Sequence, residues 1–261
     1  MILDEILLAN RQEVEAAKAR LSCDELKKRA LGHRSQHRFR DALRESGKRP
    51  ALIAELKRKS PSRGMLRERF DPVRLAQELQ DAGATALSIL TYERFFGGSL
   101  DILRDVQPFM EIPVLRKDFI IDPYQIYEAA YHHADAVLLI AQILSDEQLA
   151  QALGVVEQVG LDALIEVHTK DELDRALRVR ADVIGVNSRD LRTFTMHPET
   201  IARLVPQVPR GTLIVAESGI QTREDVQRLA SLGVHALLIG ESLMIAPDPA
   251  AKVRELFEGI W

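Results

Sequence analysis

Four apolar runs in this chain end in side chains suited to moving protons. Ile53-Ala54-Glu55-Leu56-Lys57 sets a carboxylate and an ammonium two residues apart, and Val114-Leu115-Arg116-Lys117-Asp118 brings in a second lysine. Leu164-Ile165-Glu166 ends on a glutamate, and Gly185-Val186-Asn187-Ser188-Arg189 on an amide and a guanidinium. Side chains alternate along a strand, so Glu55 and Lys57 share a face with Ile53. If that face points inward, opposite charges enter a barrel mouth, which costs free energy unless they are paired or used. Taken alone, the pair reads equally as a catalytic dyad or as a barrel-closing salt bridge. For Lys117 and Glu166 the acid–base reading takes precedence, because convergence of several such strand ends on one mouth is what that chemistry requires. Arg116, Asp118 and Ser188 read as helix-facing or loop-surface residues.

The last two runs carry a different signature, Val215-Ala216-Glu217-Ser218-Gly219-Ile220 and Leu238-Ile239-Gly240-Glu241-Ser242. Each places glycine where a strand gives way to a helix. Glycine lets backbone N–H groups approach an anion closely, and α/β barrels often bind phosphate in the loops after strands seven and eight.

The elements that must position these groups recur with a fixed alternation. Strand-like runs span 51–57, 84–91, 112–117, 134–140, 163–167, 182–187, 212–217 and 235–240, most of them near-continuously apolar, as parallel strands covered on both faces should be. Helix-like segments between them include 72–82, 123–132, 146–158, 170–178, 222–231 and 249–257. Asp71 before Pro72, Asp122 before Pro123, and Ser145 with Gln148 are start signals, while Gly83, Gly160 and Gly233 are stop signals. Eight such repeats without a long linker predict an α/β fold, a (β/α)8 TIM barrel, over an open doubly wound sheet. One domain then accounts for residues 1–261, with residues 1–48 as an N-terminal helical extension. Within it, Leu3 to about Arg29 has helical periodicity, predicting a helix packed across one barrel end or a dimerisation arm.

The 261 residues are 46% hydrophobic and 28% charged, which fits a globular protein with a sizeable core. A formal net charge of -4 gives no electrostatic case for a nucleic-acid partner. The basic cluster Arg34, His37, Arg38 and Arg40 reads as a solvated face. Cys23 is the one cysteine, which excludes an internal disulfide and a cysteine-rich metal site and fits a reducing cytoplasm. The acids among Ile2, Leu3, Ile6, Leu7 and Leu8 argue against a signal peptide, and no apolar run reaches the roughly 20 residues of a bilayer span. His132-His133 ends a helix, where a cation complements the dipole, and is not expected to ligate metal. His168 has no assigned role, and Trp261 reads as a packing anchor for the final helix.

At Ile53-Ala54-Glu55-Leu56-Lys57-Arg58-Lys59-Ser60-Pro61-Ser62 the chain resembles the indole-3-glycerol phosphate synthase family. The resemblance continues through Phe95 with Gly98-Ser99, Leu115-Arg116-Lys117-Asp118-Phe119, Ile165-Glu166-Val167-His168, Gly185-Val186-Asn187-Ser188-Arg189-Asp190-Leu191, Ala216-Glu217-Ser218-Gly219-Ile220 and Leu238-Ile239-Gly240-Glu241. It implies a cofactor-free, metal-free lyase of tryptophan biosynthesis that converts 1-(2-carboxyphenylamino)-1-deoxyribulose 5-phosphate to indole-3-glycerol phosphate, carbon dioxide and water. By this resemblance Lys117 is the general acid, Lys57 pairs with the substrate carboxylate, Glu55 orients Lys57, and Glu166 serves dehydration. Asn187, Arg189 and Glu217 would contact substrate oxygens or catalytic groups. Ser60, Lys59, Ser218, Gly219, Gly240 and the Glu241 backbone would hold the phosphate, and Phe95, Phe119 and Leu191 would line the anthranilate pocket. The implied partner is the small anthranilate-bearing sugar phosphate, acted on by a cytoplasmic monomer or weak homodimer. A phosphoribosylanthranilate isomerase would have no use for Lys117 with Glu55 and Lys57. A non-catalytic phosphosugar-binding barrel would have lost an acid or base.

Overall fold

The computed structural model describes residues 2–31 and 38–261; Arg34 and His37 of the basic cluster lie outside them. Eight parallel strands close into a barrel in sequence order: Ala51–Leu56, Ala86–Leu90, Val114–Lys117, Ala136–Ile140, Asp162–Val167, Val183–Asn187, Leu213–Glu217 and Ala236–Ile239. Each lies inside or within one residue of a run expected from the sequence. The register aligns the strand ends that carry charge: Glu166 pairs with Gly185, Asn187 with Glu217, and Glu217 with Leu238.

Alternation splits the apolar residues into two cores. Ile53, Leu115, Leu138, Leu164, Val215 and Leu238 fill the barrel interior. Leu52, Ala54, Leu87, Leu139, Ile165 and Leu237 pack outward under the helices. The helix starts obey their caps. Asp71 accepts from the Arg74 N–H ahead of helix Pro72–Asp81, and Asp122 and Ser145 each form a reciprocal capping box with Gln125 and Gln148. Gly83, Gly160 and Gly233 adopt φ of 104°, 72° and 83°, the left-handed geometry that stops a helix without a Cβ clash.

The N-terminal extension differs from its expected single helix. Ser22 caps a second helix, Cys23–Ala30, so the segment breaks after Ile2–Arg20. The first helix crosses the barrel end where the strands finish: Asn10 donates to the Phe119 carbonyl, Tyr92 Oη donates to the Ile6 carbonyl at 3.3 Å, and Lys18 pairs with Asp122 at 2.8 Å. A third helix, Arg38–Glu45, closes the opposite end by inserting Phe39 and Leu43 beneath the interior core. Of its basic residues Arg40 is drawn into the barrel floor, while Arg38 stays exposed as a solvated face would have it. The Arg40 N–H donates to Asp162 Oδ2 at 2.8 Å, its guanidinium reaches Asp182 at 3.0 Å, and Arg38 reaches Asp135 at 3.5 Å. These aspartates stand at or just before strand starts, and alternation hid that pairing because the partners lie about 100 to 140 residues away.

His132 departs from expectation as well. Burial, with Arg116 and Arg104 nearby, pushes its imidazole down to about 4, so it ends its helix as a neutral ring rather than a cation. Trp261 does anchor the last helix, Pro249–Phe257, stacking on Phe257 at 4.1 Å and donating to the Pro50 carbonyl at 3.0 Å.

Because Phe39 is fully buried under the barrel floor, Phe39→Ala should lower unfolding free energy by about 3–5 kcal/mol in urea titrations. A loss below about 1 kcal/mol would show that the third helix does not seal the core.

Candidate active site

The third barrel strand aims Lys117 into the mouth, and three other strands bring carboxylates to meet it. Lys117 Nζ lies 2.7 Å from Glu217, 3.5 Å from Glu55 and 3.9 Å from Glu166. Lys57 Nζ sits 2.5 Å from the other Glu55 oxygen, making Glu55 a bridge between the two lysines. The three glutamates are 2%, 1% and 0% exposed at positions 55, 166 and 217, so their charges face one another and not water.

Two glycines make this density of charge possible. A Cβ at Gly185 would stand 2.2 Å from Glu217 Oε1, and one at Gly240 would stand 2.3 Å from Glu55 Oε1. Neither position has a positive φ, so space is what glycine supplies there. Gly240 thus makes room for a carboxylate as well as ending the eighth strand.

The electrostatics follow from burial opposed by pairing. Burial alone would strip Lys117 of its proton, but Glu217, Glu55 and Glu166 hold its ammonium well above the ordinary lysine range. Burial would raise Glu55, yet Lys57 and Lys117 keep it below its usual value. With three carboxylates around two lysines, one acid is left short of charge balance. Burial pushes Glu217 up to about 7, Lys117 pulling against it and the Glu166 charge adding to it. The cluster thus holds a lysine ammonium beside one acid that titrates near neutral pH.

These groups floor a cavity of about 280 Å³ with one apolar wall and one polar rim. Phe96, Phe119, Leu138 and Leu191 contribute to the wall. On the rim, Ser60 and Gly64 pair in a tight turn, the Arg63 N–H donates to Ser60 Oγ at 3.2 Å, and Arg189 donates to Ser62 Oγ at 3.3 Å. The Glu241 carboxylate lies between Arg63 at 2.9 Å and Arg189 at 3.6 Å. Ser218 and Gly219 have φ of 67° and 75°, so the chain turns sharply after the seventh strand. Left-handed backbone at serine is sparsely populated and, at a site like this, marks a constrained loop.

Of the residues singled out from the sequence, Glu55, Lys57, Ser60, Lys117, Phe119, Glu166, Asn187, Arg189, Leu191, Glu217, Ser218, Gly219, Gly240 and Glu241 line this one cavity. Lys59 and Phe95 do not. Lys59 Nζ turns outward to the Arg94 carbonyl at 2.9 Å. Phe95 stacks on Tyr92 at 6.0 Å, and Phe96 takes the wall position, since successive side chains of the short helix Glu93–Phe96 point about 100° apart. Arg116 faces the helices as expected, bound to the Gln125 carbonyl at 2.7 Å and Glu128 at 2.9 Å. Asp118 and Ser188 are buried and not surface residues; Asp118 accepts from Thr91 Oγ1 at 2.6 Å and the Ser188 N–H donates to the Glu217 carbonyl at 3.1 Å. Phe194, Met196 and Arg63 also line it and were missed, because they lie on aperiodic loops where the sequence offers no phase.

A closed parallel barrel with buried, proton-bearing side chains at its strand ends defines a (β/α)8-barrel enzyme equipped for acid–base chemistry. Comparison with known proteins narrows that class. The family model for indole-3-glycerol phosphate synthase matches residues 3–256, and the chain belongs to this family of carboxy-lyases of tryptophan biosynthesis. Among curated relatives, the indole-3-glycerol phosphate synthase of Mycolicibacterium smegmatis is 46% identical over 255 residues, covering 98% of this chain and 93% of its own. That of Carboxydothermus hydrogenoformans is 42% identical over 262 residues, covering 98% and 99%. Among solved structures, 3-hexulose-6-phosphate synthase from Salmonella typhimurium superposes with a TM-score of 0.65 at 14% identity, covering 80% of this chain and 98% of that one. At that identity the likeness speaks for the barrel alone.

Since an added methyl at Gly185 would collide with Glu217, Gly185→Ala should turn that carboxylate away from Lys117. Steady-state kinetics should show turnover reduced about 10- to 100-fold. Unchanged turnover would mean the Lys117–Glu217 contact is dispensable.

Proposed function

We propose that this chain closes the indole ring of indole-3-glycerol phosphate from 1-(2-carboxyphenylamino)-1-deoxyribulose 5-phosphate, using the Lys117 cluster as its proton-transfer apparatus. The observation that carries the proposal is a single ammonium within 3.9 Å of three buried carboxylates on the floor of a half-apolar cavity. The reaction joins the ring carbon that bears the carboxylate to the ribulose carbonyl carbon. As that bond forms, negative charge gathers on the carbonyl oxygen, and Lys117 as general acid delivers a proton there. The bond to the carboxylate then breaks, its electron pair returns to the ring system, and carbon dioxide leaves. Loss of the hydroxyl as water needs one proton given and one taken, a task assigned to Glu166 with one of the lysines.

The remaining roles follow position. Lys57 pairs with the substrate carboxylate and Glu55 orients it, holding the bent conformation in which ring and carbonyl meet. Asn187 accepts from the Arg189 N–H at 2.9 Å, which fixes that loop for contact with sugar oxygens. Glu217 anchors Lys117 and adds a contact to the sugar. Ser60, Ser218, Gly219, Gly240 and the Glu241 backbone hold the phosphate; Lys59 reaches it only by leaving Arg94. Phosphate binding at this rim positions the reacting end over the lysine. Phe119 and Leu191, with Phe96 in place of Phe95, receive the anthranilate ring. Residues 1–261 act as one barrel domain with residues 1–48 as its extension, working in the cytoplasm as a monomer or weak homodimer. Among the described residues no helix is long and apolar enough to cross a membrane.

Mixing the purified protein with the carboxyphenylamino sugar phosphate should produce indole fluorescence. Lys117→Ala should reduce kcat by about 10²–10⁴-fold while binding of a reduced, unreactive substrate analogue stays within a few-fold. Near-normal turnover in that variant would remove Lys117 from its role as acid.

A further inference from the structure

Behind Glu166 lies a buried titratable group that the mechanism above leaves idle. His168 continues the fifth strand two residues beyond Glu166, on the same face, and is 8% exposed. Its Nε2 stands 3.4 Å from Glu166 Oε1 and its Nδ1 stands 3.4 Å from Glu172 Oε2. The Glu172 carboxylate is itself fixed, accepting the His168 backbone N–H at 2.7 Å from the first turn of helix Lys170–Arg178. Neither ring nitrogen has a hydrogen-bond partner of good geometry, and neither does Glu166 Oε1. Such orphaned buried polar atoms are uncommon and call for a purpose.

We propose that His168 is a positioning residue for Glu166: its ring, braced from behind by Glu172, holds Glu166 Oε1 so that Oε2 alone faces Lys117 and the cavity. This rests on the assignment of Glu166 to the dehydration step. The groups facing the imidazole are Glu166 on its own strand, Glu172 on the following helix and Glu217 on the seventh strand, with Lys117 beyond Glu166. Burial alone would lower the His168 pKa, but Glu172, Glu166 and Glu217 together raise it above its ordinary 6.5. When the ring is protonated, Nε2 faces Glu166 and Nδ1 faces Glu172 as N–H groups, which neutral imidazole cannot offer on both sides. As pH rises through that raised pKa the second donor is lost, and Glu166 is released from its setting.

The test is kinetic and uses the full chain. His168→Phe keeps the ring volume and removes both donors, and His168→Gln keeps one donor. In the Phe variant kcat should fall about tenfold with KM within twofold, and the alkaline decline of kcat that reports His168 should flatten. The Gln variant should recover part of kcat, and Glu172→Gln, which removes the charge of the brace while leaving an oxygen to accept the His168 backbone N–H, should shift the decline to lower pH. A folded His168→Phe or His168→Gln enzyme with kcat and pH profile like the parent would overturn the proposal. If Glu166→Gln is inactive while both His168 variants are normal, the positioning role fails alone; if Glu166→Gln turns over normally, it is the assignment of Glu166 that fails.

Discussion

The Lys117 ammonium, 2.7 Å from Glu217 and within 3.9 Å of two further carboxylates, is held with only 15% of its side chain open to solvent. Removing such charges from water costs several kcal/mol apiece, so the arrangement persists only because each charge has a partner fixed by a rigid support. A closed barrel provides that support. Its strands contribute one or two of these groups each, and parallel register sets how far each side chain reaches into the mouth. Loop-borne groups at these distances would separate and hydrate.

Much else in the molecule can be understood as protection of that arrangement. Gly185 and Gly240 give up side chains so that Glu217 and Glu55 fit. Arg116 and Asp118, adjacent to Lys117 in sequence, are tied on the other side of the strand to Thr91, Gln125 and Glu128, which pins the strand from outside. The first helix lies across the loops that follow the second and third strands, while the third helix plugs the opposite end with Phe39 and Leu43. The N-terminal extension thus braces both ends of the barrel, although only one end was expected of it.

What the sequence disclosed follows from which interactions are local. Strand runs, capping residues and helix-stop glycines are set by neighbours within a few positions, so the eight-fold repeat and the identity of Glu55, Lys57, Lys117 and Glu166 were legible. Partnerships over long separations were not: Arg38 and Arg40 read as a surface patch because Asp135, Asp162 and Asp182 lie far along the chain. Phase within the single helical turn Glu93–Phe96 was also beyond reach, which is why Phe95 stood in for Phe96, and the outward turn of Lys59 depends on a carbonyl 35 residues away. His168 was read only as sharing a strand face with Glu166 or as a loop residue, because the turn that brings Glu172 back onto its ring lies between a strand and a helix and has no periodicity.

Everything proposed for this site assumes that residue 117 keeps its proton while buried. Nitrogen NMR of protein labelled at lysine Nζ, followed from pH 6 to 11 with Lys117→Arg to assign the signal, would observe that proton directly. The account requires the Lys117 resonance to stay at its ammonium position after exposed lysines have titrated near their ordinary value of about 10.4. A Lys117 amine appearing below that pH would show that burial outweighs the carboxylates, and the acid proposed here would not exist.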